Sequence, residues 1–553
     1  MKKIVHLVLL LLSIFIISAC RQDDETPKNG NNNGDETWKI QYDMVNTSPR
    51  MLTEVSVCYQ IFPIAFADST GDGYGDLRGM IDQVDYLSDV LGIDCIWLNP
   101  INPSTTYHKY DVTDYYGIDP QFGTMADFEE LLEALDERGI ILLMDLVINH
   151  TSDAHPWFIN ARLGTNRTYH DWYVWNTLED RTAFPSKAGW HFEQNLDLYY
   201  FGYFWNRMPE LNFDNPLVRE EIKNIATFWL EKGVGGFRID AARHIYDINE
   251  YPRSTNVLRE NIDWFREFNY HVKSVNPDAI ILGEVWASGS FVSPFYEGMD
   301  ATFNFEFSEA LIEGLKMGEH RNAAQVLYET RNSYRNVRED FIDSVFLTNH
   351  DMDRIMSEVN YNMDRARVAA RVLFSLPGVS WIYYGEEIGM SGRHPDPARR
   401  QPFKWSMDSP YNTQGLQNAV TNHAGIQAWN SYNEGLAGVY EQLQEEDSLL
   451  NLYIEMIALK QNNPVLAFGE MGLITSNDSR MLMFTRSHLG EHYAVLHNMS
   501  GLTRNLTHEL GEYEVIYQSD VFTDEAGVLT INPHQSVILK IQDASVTLNR
   551  YIP

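Results

Sequence analysis

The chain has 553 residues, 44% of them hydrophobic and 13% aromatic, enough for a large core spread over more than one domain. Its 42 basic against 77 acidic side chains leave a formal charge of −35, which repels phosphate backbones and argues against nucleic acid as a partner. The same acidic excess keeps a protein soluble and suits a neutral substrate.

Residues 1–19 read as a secretory signal. MKK is the charged head, and the apolar run from Ile4 to Ala19 is shorter than the roughly 20 residues that span a bilayer. The run ends in ISAC, where Cys20 resembles the cysteine of a bacterial lipoprotein processing box, lipidated and first in the mature chain. An ordinary signal that happens to contain a cysteine is the competing reading. Residues 20–48, beginning CRQDDETPKNGNNNGDE, lack apolar periodicity and read as a flexible tether. The acidic cluster behind Cys20 resembles the export signal of some Gram-negative surface lipoproteins. The expected location is therefore the outer membrane, facing the cell surface and held by an N-terminal lipid anchor.

From residue 55 short apolar runs alternate with helix-like segments. VSVCYQIFPIAF (55–66), DCIWLNP (94–100) and IILLMDLVI (140–148) read as strands; LRGMIDQVDYLSDVL (77–91) and MADFEELLEALDERG (125–139) have helical spacing. Cys58 and Cys95 each fall in one of these strands, and two such cysteines are expected to be buried free thiols. The rhythm resumes with the helix PLVREEIKNIATFWLEK and the strand VGGFRID (234–240). Further strands are expected at DAIILGEV (278–285), DATFNFEF (300–307), DSVFLTNH (343–350) and VSWIYYG (379–385). Eight such units predict an α/β fold, a closed (β/α)8 TIM barrel.

Two segments break the rhythm. Residues 150–212, dense in Trp, Tyr, Asn and Pro, are too long for an ordinary barrel loop and predict a small domain inserted after the third strand. Residues 464–553 offer short alternating runs such as RMLMFTRS and QSVILKIQ, which predict a C-terminal antiparallel β-sandwich. The expected organisation is a barrel in two parts, 49–149 and 213–463, around the insert.

In a parallel barrel, functional side chains gather where strands end and βα loops converge. Asp145, Asn149 and His150 close the third strand, Arg238 and Asp240 the fourth, Glu284 the fifth, and His350 and Asp351 the seventh. Alternation puts Arg238 and Asp240 on one face of their strand, with Phe237 and Ile239 on the other. One buried Asp beside an Arg is ordinarily a structural ion pair. Several carboxylates, two histidines and an arginine around one mouth would cost too much desolvation to be kept without a functional return.

DLVINH (145–150), GFRIDAARH (236–244), GEVW (283–286) and FLTNHD (346–351) resemble, in order and spacing, four signature segments of the α-amylase family of glycoside hydrolases, and MPELN (208–212) resembles a fifth. The resemblance implies that Asp240 is the nucleophile, Glu284 the acid and base, and Asp351 the third catalytic carboxylate, gripping sugar hydroxyls. It implies that Arg238 keeps Asp240 ionised, that His150 and His350 bind the same sugar, and that Tyr110 is its aromatic platform with His108 beside it. Where many relatives carry glycine, this chain has Lys109. Glu284, to stay protonated, is expected in a drier or more anionic setting than Asp240. The tryptophans of the insert, Trp157, Trp172, Trp175, Trp190 and Trp205, are candidate sugar platforms or simply core.

DSTGDGYGD (68–76) sets oxygen ligands at alternate positions, Asp68, Thr70, Asp72, the Tyr74 carbonyl and Asp76, which suits a hard cation. A similar loop binds calcium in many members of the family, so Ca2+ is the expected cofactor. A second calcium would use Asn149, the His244 carbonyl and Glu210, the last standing where many relatives have aspartate.

The resemblance implies a retaining, endo-acting hydrolase of α-1,4 bonds in starch or maltooligosaccharides, and Ala241 just after Asp240 resembles the α-1,4 group. Association with other glycan-uptake proteins is a further expectation. Open alternatives are a neopullulanase, cyclomaltodextrinase or α-1,6-active enzyme, a transglycosylase or isomerase such as a trehalose-forming enzyme, and a non-catalytic glycan-binding lipoprotein.

Overall fold

The computed structural model describes residues 47–177, 188–250, 256–413 and 433–550; the signal, Cys20 and the tether up to residue 46 lie outside them. Among the described residues, eight parallel strands close into a barrel: β1 (Val57–Ile61), β2 (Cys95–Leu98), β3 (Ile141–Leu146), β7 (Gly236–Ile239), β8 (Ile280–Gly283), β9 (Ala301–Phe303), β10 (Ile342–Phe346) and β11 (Val379–Tyr383). Neighbours in sequence are neighbours in the barrel, and β11 pairs with β1 to close it.

The apolar runs are continuous because both faces of each strand are covered. Val57, Tyr59, Ile61, Phe237 and Ile239 pack outward among the helices. Cys58, Cys95, Trp97, Leu143, Leu282, Phe303 and Trp381 fill the interior. The inward set turns polar towards the strand ends, at Asp145, Arg238 and beyond, and this is where a site can form.

Two expectations need correcting. DATFNFEF is not one strand: β9 stops at Phe303, and the Asn304 side chain accepts the Phe307 N–H (3.1 Å) to cap a helix over Phe305–Met317. Cys58 and Cys95 are not free thiols but a disulfide. They stand opposite each other in the register of β1 and β2, both facing the interior, a juxtaposition created by the crossover between the strands.

The insert after β3 contains a three-stranded antiparallel sheet of β4 (Trp175–Asn176), β5 (Trp190–Glu193) and β6 (Leu198–Phe201), in the order β4-β6-β5, over a small core of Val174, Trp190 and Phe201. Its last residues return to the barrel, where the Leu211 N–H donates to the Asn149 carbonyl (3.0 Å) and Glu210 bridges His150. The C-terminal region forms two antiparallel sheets. One contains Met481–His488, Glu491–Asn498 and Ser536–Ile541, the other Arg504–His508 and Val528–Ile531, and they share a core that includes Leu496, Leu506, Leu529 and Leu539.

The pairing of Cys58 with Cys95 has a direct check. Alkylation of denatured, unreduced protein should label neither cysteine, and prior reduction should expose both; labelling of both without reductant contradicts the pairing.

Candidate active site

Register builds the site. Asp145 on β3 is the Cα partner of Arg238 on β7, and Arg238 is the partner of Leu282 on β8. One step along, Ile239 pairs with Gly283, so the next residues, Asp240 and Glu284, leave neighbouring strands at the same level. Adjacent strands run about 4.8 Å apart, which brings the two carboxylates to one place.

Arg238, fully buried, joins them. Its Nη1 donates to Asp145 Oδ1 (2.8 Å) and Asp240 Oδ1 (2.7 Å), its Nη2 lies 2.8 Å from Glu284 Oε2, and the guanidinium rests over the Trp97 ring at 4.6 Å. Asp145 also accepts from Trp97 Nε1 (3.0 Å) and the Tyr110 hydroxyl (2.9 Å). Ala241 takes a left-handed backbone (φ 48°), and its N–H donates to Glu284 Oε2 (2.9 Å). The strand turns sharply after Asp240, so that the amide faces the neighbouring carboxylate.

Burial dominates the titration of these groups. It pushes Asp240 and Glu284 up to about 7 and Asp145 to about 6, while the charge of Arg238 pulls each of them down. Of the two settings expected for Glu284, the drier one is not found, because the Glu284 and Asp240 side chains are 14% and 13% exposed, and each has other carboxylates near it that raise it further. Both carboxylates meet the cation, Asp240 at Nη1 and Glu284 at Nη2, and Glu284 also accepts the neutral Ala241 amide.

A second layer orients the ring groups. Gln60 Nε2 donates to His350 Nδ1 (2.8 Å), which leaves Nε2–H of His350 to donate to the Tyr110 oxygen (2.8 Å). Tyr110 stacks parallel to His350, with centroids 5.5 Å apart and 4° between planes. Burial holds His350 well below the usual histidine range and lowers His108 and His150 to about 4, so all three are neutral. Asp351 pairs with Arg400 (2.8 Å), whose Nε also donates to the His350 carbonyl (3.0 Å).

A cavity of about 390 Å3 opens over this network. Of the residues expected from sequence, His108, Tyr110, His150, Asp240, His244, Glu284, His350 and Asp351 line it, with Arg238 beneath. None of the five tryptophans of the insert does; Trp172 and Trp190 are buried in the insert itself. Sequence reasoning missed Phe204, Trp286, Arg243, Asp396 and Arg400 as lining residues. DPARR (396–400) follows the last barrel strand as the other polar clusters follow theirs, and that position was the available signal.

The expected calcium positions differ from one another. In 68–76 the donors are all oxygens, as calcium requires, and left-handed Gly71 and Gly73 wind the loop around Asp68, which accepts the amides of Thr70 (3.0 Å), Gly71 (2.7 Å) and Gly73 (2.7 Å). Asp72 Oδ1 accepts the amide of Tyr74 (2.8 Å), and Asp76 accepts from Ser69 and Gly79. Among the described residues, no group of three His, Cys, Asp or Glu side chains is gathered as metal ligands. The groups of the second position are drawn together by their own hydrogen bonds. Asn149 Nδ2 donates to the His244 carbonyl at 2.5 Å, so two expected ligands are bonded to each other, and Glu210 Oε1 accepts from the Tyr203 amide (2.9 Å).

The position of Arg238 predicts how stability responds to its removal. Arg238→Met keeps much of the volume but strands buried carboxylates, which costs about 3–5 kcal/mol. Acids whose folded-state pKa is raised lose stability as pH rises through that value. The deficit in urea denaturation should therefore be small at pH 5, where these carboxyls are protonated with or without Arg238, and should grow as pH rises past 7; equal deficits at pH 5 and 8 would contradict the assignment.

The family profile described as the α-amylase catalytic domain matches residues 60–469. α-Amylase 3 of Dictyoglomus thermophilum is 37% identical over 88% of this chain and 93% of its own length. An oligo-1,6-glucosidase of Bacillus cereus is 31% identical over 88% of this chain and 99% of its own. The crystal structure of an α-amylase from H. orenii superposes with a TM-score of 0.78 at 35% identity, covering 88% of this chain and 99% of that one. With an eight-stranded barrel carrying carboxylates at its mouth and this degree of likeness along most of its length, the chain belongs to the α-amylase family of glycoside hydrolases.

Proposed function

We propose that the chain is a retaining, endo-acting hydrolase of α-1,4-glucosidic bonds in starch and maltooligosaccharides. The observation that carries the reading is the level placement of Asp240 and Glu284 on adjoining strands, both against Arg238. Retaining hydrolysis requires two carboxyls about 5–5.5 Å apart, one to attack and one to protonate the leaving oxygen. Asp240, hydrogen-bonded by the cation, is the group that stays ionised and attacks the anomeric carbon. Glu284 holds the proton, gives it to the departing oxygen, and takes one from water in the second half of the reaction. Asp351, the neutral His108, His150 and His350, and Tyr110 wall the place of the same sugar, with Asp351 to grip its hydroxyls and Tyr110 to lie against its face.

The α-1,4 choice draws on Ala241 and on the likeness to an α-amylase at 37% identity. The likeness to an oligo-1,6-glucosidase favours α-1,6 cleavage as the second reading. Calcium is proposed for 68–76 alone, held by Asp68, Thr70, Asp72, the Tyr74 carbonyl and Asp76, where it would brace the loop after β1. For location we propose export and anchoring through Cys20; the Cys58–Cys95 disulfide suits an oxidising compartment.

Chromatography of the products from amylose, pullulan, cyclodextrin and maltotriose, with Asp240→Asn as blank, tests the substrate. Short maltooligosaccharides from amylose support the reading, and turnover confined to α-1,6 linkages overturns it in favour of the second. Asp240→Asn and Glu284→Gln should each remove nearly all turnover without unfolding the protein; near-normal rates in either would end the assignment. Because both carboxyls lie near 7, kcat/KM should peak near neutrality, falling in acid as Asp240 gains a proton and in alkali as Glu284 loses one. Titration of metal-stripped protein with calcium in a calorimeter should show one site; no heat would remove the calcium proposal.

A further inference from the structure

The cavity wall formed by His108 and Tyr110 rests on a turn that should not hold itself. Lys109, between them, has a left-handed backbone (φ 64°), a conformation that glycine adopts freely and other residues rarely do. Its side chain does not enter the cavity. It runs beneath the wall, over the Phe122 ring at 5.5 Å, and its Nζ donates to Asp119 Oδ2 at 2.7 Å. Both side chains are at least nine-tenths buried. Asp119 also accepts the amides of Gln121 (2.9 Å) and Ser104 (3.3 Å), so the counter-charge is itself fixed.

A buried ion pair of this kind resists loss of either partner, since the survivor would be an uncompensated charge in an apolar setting. The pair therefore holds the backbone where local preference would not. The far side of the turn is fixed independently: Asp111, fully buried, accepts the hydroxyls of Ser104, Thr105 and Thr106, and Thr106 Oγ1 lies 3.1 Å from His108 Nδ1. Between these anchors, His108 and Tyr110 face the site side by side, with ring centroids 6.0 Å apart.

We propose that Lys109 is a positioning residue: its buried ion pair with Asp119 holds the left-handed turn that sets His108 and Tyr110 against the sugar to be cleaved. The inference rests on the hydrolase reading above for its kinetic consequence and on geometry alone for its structural one. Groups around the reacting sugar act on the transition state, and a displacement on the order of 1 Å is felt in turnover more than in ground-state binding.

Four variants test this on maltooligosaccharides: Lys109→Met, Asp119→Asn, Lys109→Gly, and Lys109→Gly with Asp119→Asn. The three single variants should lose about tenfold or more in kcat with a smaller change in KM. The double variant, with neither an orphan charge nor an unfavourable backbone, should recover most of the loss. A Lys109→Met protein that melts earlier but keeps wild-type kcat and KM would show a purely structural pair and overturn the proposal. So would a double variant no better than the singles. The crystal structure of Lys109→Met, or of Asp119→Asn if that one alone folds, separates this from the functional reading. Tyr110 shifted off the His350 ring supports the anchor even if no α-glucan is cleaved by the parent protein, and Tyr110 in place refutes it.

Discussion

One guanidinium holds together three buried carboxyls at the floor of the cavity. Arg238 is shut off from solvent and meets Asp145, Asp240 and Glu284 at once, on a strand whose other face is packed with helices. A single positive charge beside three carboxyls cannot neutralise them all. Burial raises all three, to about 6 for Asp145 and about 7 for the other two. The site is thus built short of positive charge, a condition in which one carboxyl can keep a proton near neutrality while its neighbour is ionised.

The barrel is what makes this arrangement affordable. Parallel register fixes which side chains stand level, and alternation decides which of them face inward. Trp97 covers the cation from below, and Tyr110, His350 and Gln60 form a chain of hydrogen bonds leading back to Asp145. A displacement anywhere in that chain reaches the carboxylates, which is why the turn carrying Tyr110 matters although Lys109 itself stays out of the cavity.

The sequence was most legible where a period or an ordered motif carried the information. Alternation in GGFRID put Arg238 and Asp240 on one face, and both face inward. The eight strands follow from apolar runs spaced by helices, with the error at Phe305–Phe307 arising because an aromatic run after β9 looks the same whether it extends a strand or opens a capped helix. Contacts between distant segments were not legible. Nothing in a single chain reveals that Cys58 and Cys95 share a register, that Arg400 returns to Asp351, or that Asn149 bonds the His244 carbonyl directly. Lys109 was visible as a departure from the family pattern, but Asp119, the partner that explains it, lies across a turn that the spacing does not describe.

The most direct measurement of the central claim is covalent trapping. If Asp240 and Glu284 face one sugar as nucleophile and acid, a ring-fluorinated α-glucosyl fluoride that forms the glycosyl-enzyme quickly, losing its anomeric fluoride, and releases it slowly should add one fluoroglucosyl mass. Peptide mass spectrometry should place it on Asp240. Labelling of Glu284 or Asp351 instead, or turnover that releases the inverted anomer with no trapped species, would contradict the account.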